Sequence, residues 1–155
     1  MIPEKHFKVL RLLCDRLEGV NWVLTGSTSF ALQGLPLIPH DIDVQADADM
    51  SFEIEKCLDE FVTQPVSFSA NENIRSQFGK LLIDGIRVDI IGGIEKKLPD
   101  GTWEPPPDLN AYKHYIEITD LRIPVLSLKY EEDAYRKMGR NERADQIKAW
   151  LEQRK

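Results

Sequence analysis

The chain has 155 residues, with 20 Lys and Arg against 26 Asp and Glu, for a formal net charge of −6. Its 42% hydrophobic and 30% charged composition excludes a disordered or fibrous chain and fits one domain, residues 1–155, that closes its own core. No run approaches the roughly 20 apolar residues of a membrane span, the start lacks a signal-peptide core, and the acidic balance argues against a general nucleic-acid binder. A cytoplasmic protein is expected. Two cysteines, Cys14 and Cys57, are too few for a disulfide framework and read as half-buried thiols.

In chain order, Lys5 to Leu17 carries apolar residues at helical spacing and Gly19 offers a stop. Asn21 to Thr25 is β-prone and ends at Gly26; Ser27 to Gln33 then reads as a helix closed by Gly34. A loop with two prolines, Leu35 to Pro39, leads to Asp41-Ile42-Asp43-Val44-Gln45, whose strict alternation predicts a strand. Ser51 to Phe61 is an amphipathic helix, and Val66 to Phe68 a short strand. Gln77 to Ile83, Asp84-Gly85 and Ile86 to Ile91 form the plainest hairpin in the chain. Gly92-Gly93 ends it, and an irregular stretch runs from Lys96 to Asn110. Strands follow around Tyr115 to Ile118 and Arg122 to Val125, then helices Leu126 to Met138 and Asn141 to Gln153. The fold class is α+β, a mixed β-sheet flanked by helices and finished by short C-terminal helices.

Three places carry chemistry. On a strand, Asp41 and Asp43 project from one face, about 6–7 Å apart by standard rise. Such a pair suits either a solvated strand end or a divalent cation that offsets the repulsion, and Mg²⁺ favours one or two carboxylates completed by phosphate oxygens. Gly26-Ser27 lies between a strand and a helix start, where glycine lets backbone approach a phosphate; an ordinary strand–turn–helix junction looks the same. Asp89 points opposite to its neighbours Val88 and Ile90. Either it faces solvent, or it joins the pair on a neighbouring strand to make a three-carboxylate site for two metal ions.

Taken in order, Gly26-Ser27, Asp41-Ile42-Asp43-Val44 and Asp89 resemble the signature of the DNA polymerase β-like nucleotidyltransferase superfamily, over about Trp22 to Ile91. The resemblance implies a nucleotidyltransferase fold, with a catalytic half at about 20–92 and a C-terminal strand and helices at about 111–155. It implies that Asp41, Asp43 and Asp89 are catalytic and hold Mg²⁺ or Mn²⁺, two ions in all, and that Asp89 serves the acceptor as base. Gly26 and Ser27 would hold the nucleotide's phosphates. Lys129 matches a helical Lys that contacts the triphosphate in relatives. His40 stands where small stand-alone members carry Ser, and Leu32-Gln33-Gly34 where they carry Arg-Gly; a His there is more like the aminoglycoside and lincosamide nucleotidyltransferases. Pro124-Val125-Leu126-Ser127-Leu128 and the short final helices make the whole chain similar to small bacterial nucleotidyltransferase-like proteins.

Other residues are less selective. Arg75, Lys80 and Arg87 are available to a nucleotide, but spacing selects none of them. Glu131-Glu132-Asp133 starts a helix, where negative charge is favourable anyway. The expected function is metal-dependent transfer of a nucleoside monophosphate from an NTP to a hydroxyl of a small-molecule or protein acceptor. The alternative is a non-catalytic NTP-binding or regulatory partner, such as the nucleotidyltransferase-like member of a toxin–antitoxin pair. The C-terminal segment is a small acceptor platform, so a homodimer or a partner protein is expected to complete it.

Overall fold

Eight strands form one mixed, open sheet, with helices against both of its faces. The computed structural model describes residues 2–154. Helix α1 (Glu4–Arg16) turns Val9, Leu10 and Leu13 inward and leads to β1 (Val23–Thr25), which runs directly into α2 (Gly26–Leu32). Next come β2 (Ile42–Ala46), α3 (Ala48–Cys57), a 3₁₀ turn at Asp59–Phe61 and β3 (Val62–Ala70). The long hairpin β4 (Ile74–Ile83) and β5 (Ile86–Lys97) turns through Asp84 (φ 52°) and Gly85 (φ 78°), the left-handed pair that a tight two-residue turn requires. After β6 (Trp103–Glu104) and α4 (Leu109–Tyr112), the antiparallel pair β7 (Lys113–Ile118) and β8 (Leu121–Leu126) leads into α5 (Leu128–Lys137) and α6 (Asn141–Glu152).

Across the sheet the order is β3-β4-β5-β2-β1-β8-β7, with β6 paired to β5. β2 runs parallel to β5 and antiparallel to β1, and β1 runs parallel to β8. Alternation divides β2 cleanly. Ile42, Val44 and Ala46 enter the main core with Val88 and Ile90 of β5, under Val9, Leu10 and Leu13 of α1 and Ile54 of α3. Asp43 and Gln45 face the other way. There α5 and α6 meet α2 through a second core of Phe30, Leu35, Leu128 and Ile147. Among the described residues no helix is long and apolar enough to cross a membrane.

The structure departs from the sequence expectations at several elements. The α3 helix starts at Ala48 and stops at Cys57, with a separate 3₁₀ turn before β3. The β3 strand covers nine residues rather than three, because most of it is exposed on both faces and period two leaves no apolar signal. Gly92 and Gly93 do not end β5, which continues to Lys97. A Cβ on Gly92 would lie 2.5 Å from Ser51 Cβ, so this glycine admits α3 rather than breaking the strand. The stretch 96–110 contains β6 and the start of α4. Leu126 belongs to β8, and Ser127 caps α5 by accepting from the Tyr130 N–H at 3.2 Å.

Candidate active site

Register builds the site. Thr25 of β1 pairs with Asp43 of β2, Asp43 with Asp89 of β5, and Asp89 with Lys80 of β4, so these four positions form one row across one face. Asp41 lies just before β2 on that same face by alternation, and it is exposed. The Arg87 guanidinium stands among these acids. Its Nε donates to Asp89 Oδ1 at 2.7 Å and its second nitrogen to Oδ2 at 3.1 Å, while Nε lies 3.9 Å from Asp41 Oδ2. Burial, then the charges of Asp89 and Asp41, push the half-buried Asp43 carboxyl up to about 7, with Arg87 opposing them.

Among the described residues no three His, Cys, Asp or Glu side chains form a ready-made metal cage. The donor set nevertheless fits a hard divalent cation. It offers oxygen ligands only, from three acids on one face, and burial together with the charges of the other two holds Asp43 towards neutrality. Arg87 already provides a positive charge at this place.

The turn after β1 is built around the same acids. Gly26 has φ +74°, and a Cβ there would collide with Asp43 Oδ2. Glycine is therefore needed so that Asp43 can approach the backbone. Ser27 accepts from the His40 N–H at 3.2 Å and Thr28 donates to the Asp41 carbonyl at 3.0 Å. The first turn of α2 thereby fixes the segment that carries Asp41. His40 acts here through its backbone, and its carbonyl contacts His6 Nε2 at 2.7 Å.

A cleft of about 190 Å³ opens beside this turn, between the sheet face and α5, lined by Gly26, Asp43, Ile91, Lys96, Tyr130 and Glu131 among others. It is smaller than the roughly 300 Å³ at which small-molecule pockets begin, so a ligand of nucleotide size would not fit inside it whole. Three of its charged residues, Lys96, Glu131 and Arg140, were not singled out as site residues from the sequence. Glu131, read there as a favourable helix-start charge, is 4% exposed. It accepts from Thr25 Oγ1 at 2.6 Å and from the Gly26 N–H, and burial pushes its carboxyl up to about 7. A signal for it was present: residue 131 falls on the helical stripe of Leu128, Ala134, Tyr135 and Met138, where a solvated acid does not belong. Lys96 is likewise buried, and no local pattern marks it.

Lys129 is not brought to this cleft. It lies 3.4 Å from both Glu132 and Asp133, largely exposed, in a separate depression with Glu104 and Tyr112. On α5 the residue facing the cleft is its neighbour Tyr130, because one step along a helix rotates the side chain by about 100°.

A family model described as aminoglycoside-2''-adenylyltransferase matches residues 7–149. A comparison with curated proteins finds no match. Among solved structures, the crystal structure at 1.87 Å resolution of a proposed nucleotidyltransferase from Thermotoga maritima superposes with a TM-score of 0.87 at 53% sequence identity, covering 99% of this chain and 96% of the other. The likeness thus runs through every element that carries the acidic row and its cleft, and the chain belongs to the aminoglycoside-2''-adenylyltransferase family, with the nucleotidyltransferase-like α+β fold.

Proposed function

We propose that the chain transfers a nucleoside monophosphate from an NTP to a hydroxyl of an acceptor, with Asp41, Asp43 and Asp89 as catalytic metal ligands and Gly26 and Ser27 as nucleotide contacts. One observation carries this reading: Asp43 and Asp89 are register partners on adjacent parallel strands, with Gly26 left bare so that Asp43 can reach the turn. Mg²⁺ or Mn²⁺, two ions in all, would polarise the reacting phosphate and offset the charge on the departing pyrophosphate. Asp89 takes the proton of the acceptor hydroxyl once Arg87 releases its two-pronged grip. The acceptor oxygen bonds to the α-phosphorus as the bond from that phosphorus to pyrophosphate breaks. Asp43, held towards neutrality by burial and then by its acidic neighbours, is the acid that gains most from a dication.

The family description names an aminoglycoside as acceptor for the members it describes. A polycationic amino sugar suits a chain of net charge −6 with Asp41 exposed beside the row, so this acceptor class is the first to test. A second reading, a regulatory chain that binds NTP without catalysis, is supported by Arg87, which already provides the acids with a resident cation.

Incubation with α-labelled NTPs, Mg²⁺ or Mn²⁺ and a panel of aminoglycosides separates the two readings. The proposal expects label on an acceptor, and a loss of at least about 10³-fold in rate for Asp41→Ala/Asp43→Ala, in line with removal of metal-borne charge stabilisation. NTP binding without transfer to any acceptor would establish the regulatory reading instead.

A further inference from the structure

Lys96 is 6% exposed and lines the cleft farther along β5 than Asp89. Its ammonium donates to the Tyr130 hydroxyl at 3.3 Å and lies 5.5 Å from that ring's centroid. Among the described residues it forms no ion pair. Glu104 and Glu131 act on it only through longer-range attraction, and burial lowers its pKa. A buried ammonium without a counter-ion is costly, so a negative group that enters this cleft is held strongly.

A backbone irregularity aims Lys96 there. Gln77 pairs with Gly92 and Arg75 with Glu95, so β5 spends three residues where β4 spends two. On a regular strand Glu95 would follow Asp89 and Ile91 onto the acidic face. The extra residue, at Gly93 with φ +61°, reverses the alternation. Ile94 and Lys96 line the cleft instead, and Glu95 meets Arg75 at 2.8 Å outside it. The bulge thereby exchanges a carboxylate for an ammonium at a place where a phosphate chain would pass.

Resting on the nucleotidyl-transfer reading, we propose that Lys96, held by Tyr130, contacts the terminal phosphate of the nucleotide and makes the cleft select nucleoside triphosphates over diphosphates. The reacting phosphorus has to sit beside the Asp43–Asp89 row. A cation farther along β5 than that row, and lining the same cleft, therefore meets the far end of the phosphate chain. Base and ribose carry no charge that would offset a buried ammonium, whereas the terminal phosphate does.

Calorimetric titration of ATP, ADP and inorganic tripolyphosphate into wild type, Lys96→Met and Lys96→Arg tests this. Lys96→Met is expected to lose roughly 10- to 100-fold in affinity for ATP, the range for a hydrogen bond to a charged group, with ADP altered by less than about threefold. Lys96→Arg is expected to keep most of the preference for ATP. Without ligand, Lys96→Met should melt at or above wild type, because an unpaired buried charge is gone; this separates lost recognition from misfolding. An unchanged ratio of ATP to ADP affinity in Lys96→Met overturns the inference while leaving the nucleotidyl-transfer reading intact. If wild type binds neither nucleotide, that reading falls. Lys96-dependent binding of tripolyphosphate would then still support an anion seat, and its absence would overturn that as well.

Discussion

The carboxyl of Glu131 sits deeper than those of its neighbour Glu132 and of Asp89, and it closes the turn from β1 into α2 by accepting from Thr25 and Gly26. Burial raises it from an ordinary 4.5 to about 7. The folded chain therefore holds this proton more tightly than the unfolded chain does. Its contribution to stability is complete below about pH 4.5, declines as pH rises, and is lost above about pH 7, a total of about 3 kcal/mol. Glu131→Gln keeps an acceptor oxygen but cannot ionise. The variant should match wild type in thermal unfolding near pH 4 and melt several degrees higher at pH 8. Parallel melting curves for the two proteins across that range would show that Glu131 does not titrate there.

At the scale of elements, β5 carries the most. It pairs with β2, β4 and β6, provides Asp89 and Lys96, and lets α3 press onto Gly92. Gly92→Ala places a methyl 2.5 Å from Ser51 Cβ and 2.6 Å from Ser51 Oγ, so α3 has to shift. The expected cost is about 1–3 kcal/mol, read as a lower urea midpoint with an unchanged slope. The same strand marks the boundary of what sequence alone reveals. Its first half was legible through the Asp-Gly turn and β-branched alternation, as was β2 with its two same-face acids. Its second half was hidden because glycines that serve close approach and a bulge look like glycines that end a strand. The pairing of Asp43 with Asp89 was foreseeable only as a condition, since period two says which residues share a face and not which strands are neighbours. Arg87 and Asp89, two apart on a strand, were bound to share a face, yet their bidentate geometry depends on side-chain rotamers. Lys96 and Glu131 depend on tertiary burial. Lys129 was matched by its helix alone, which does not say which side of that helix meets the cleft, and the structure turns Tyr130 to it.

Seen whole, the molecule has two sheet edges of different character. The β7 edge carries Lys113, His114 and Glu117, charges that discourage a passing strand. The β3 edge, Val62–Ala70, has no charged residue in a chain that is 30% charged, and Phe68 on it is 62% exposed. It is blunted in other ways. Pro65 lacks a backbone donor, two register shifts interrupt the ladder to β4, and the Val66 N–H is taken by Glu55 of α3 at 2.5 Å. A Glu55→Ala/Pro65→Thr double variant should therefore self-associate more than wild type in concentration-dependent sedimentation. The difference should widen as pH falls and the surplus negative charge is neutralised. Identical sedimentation of the two proteins would show that these devices do not guard the edge.

The bond from Thr25 to Glu131 joins residues 106 positions apart, and β1 lies between a neighbour early in the chain and one, β8, whose Val125 pairs with Leu24. Such closure sets a timetable for a chain made from one end. While the ribosome is still adding β8, Asp41, Asp43 and Asp89 have all been made, yet the turn beside them lacks the side chain that closes it. A nascent chain halted before α5 would hold every acid of the row with the turn beside them still unclosed. On the proposed nucleotidyl transfer, nucleotide would therefore favour the folded state only after synthesis is nearly complete.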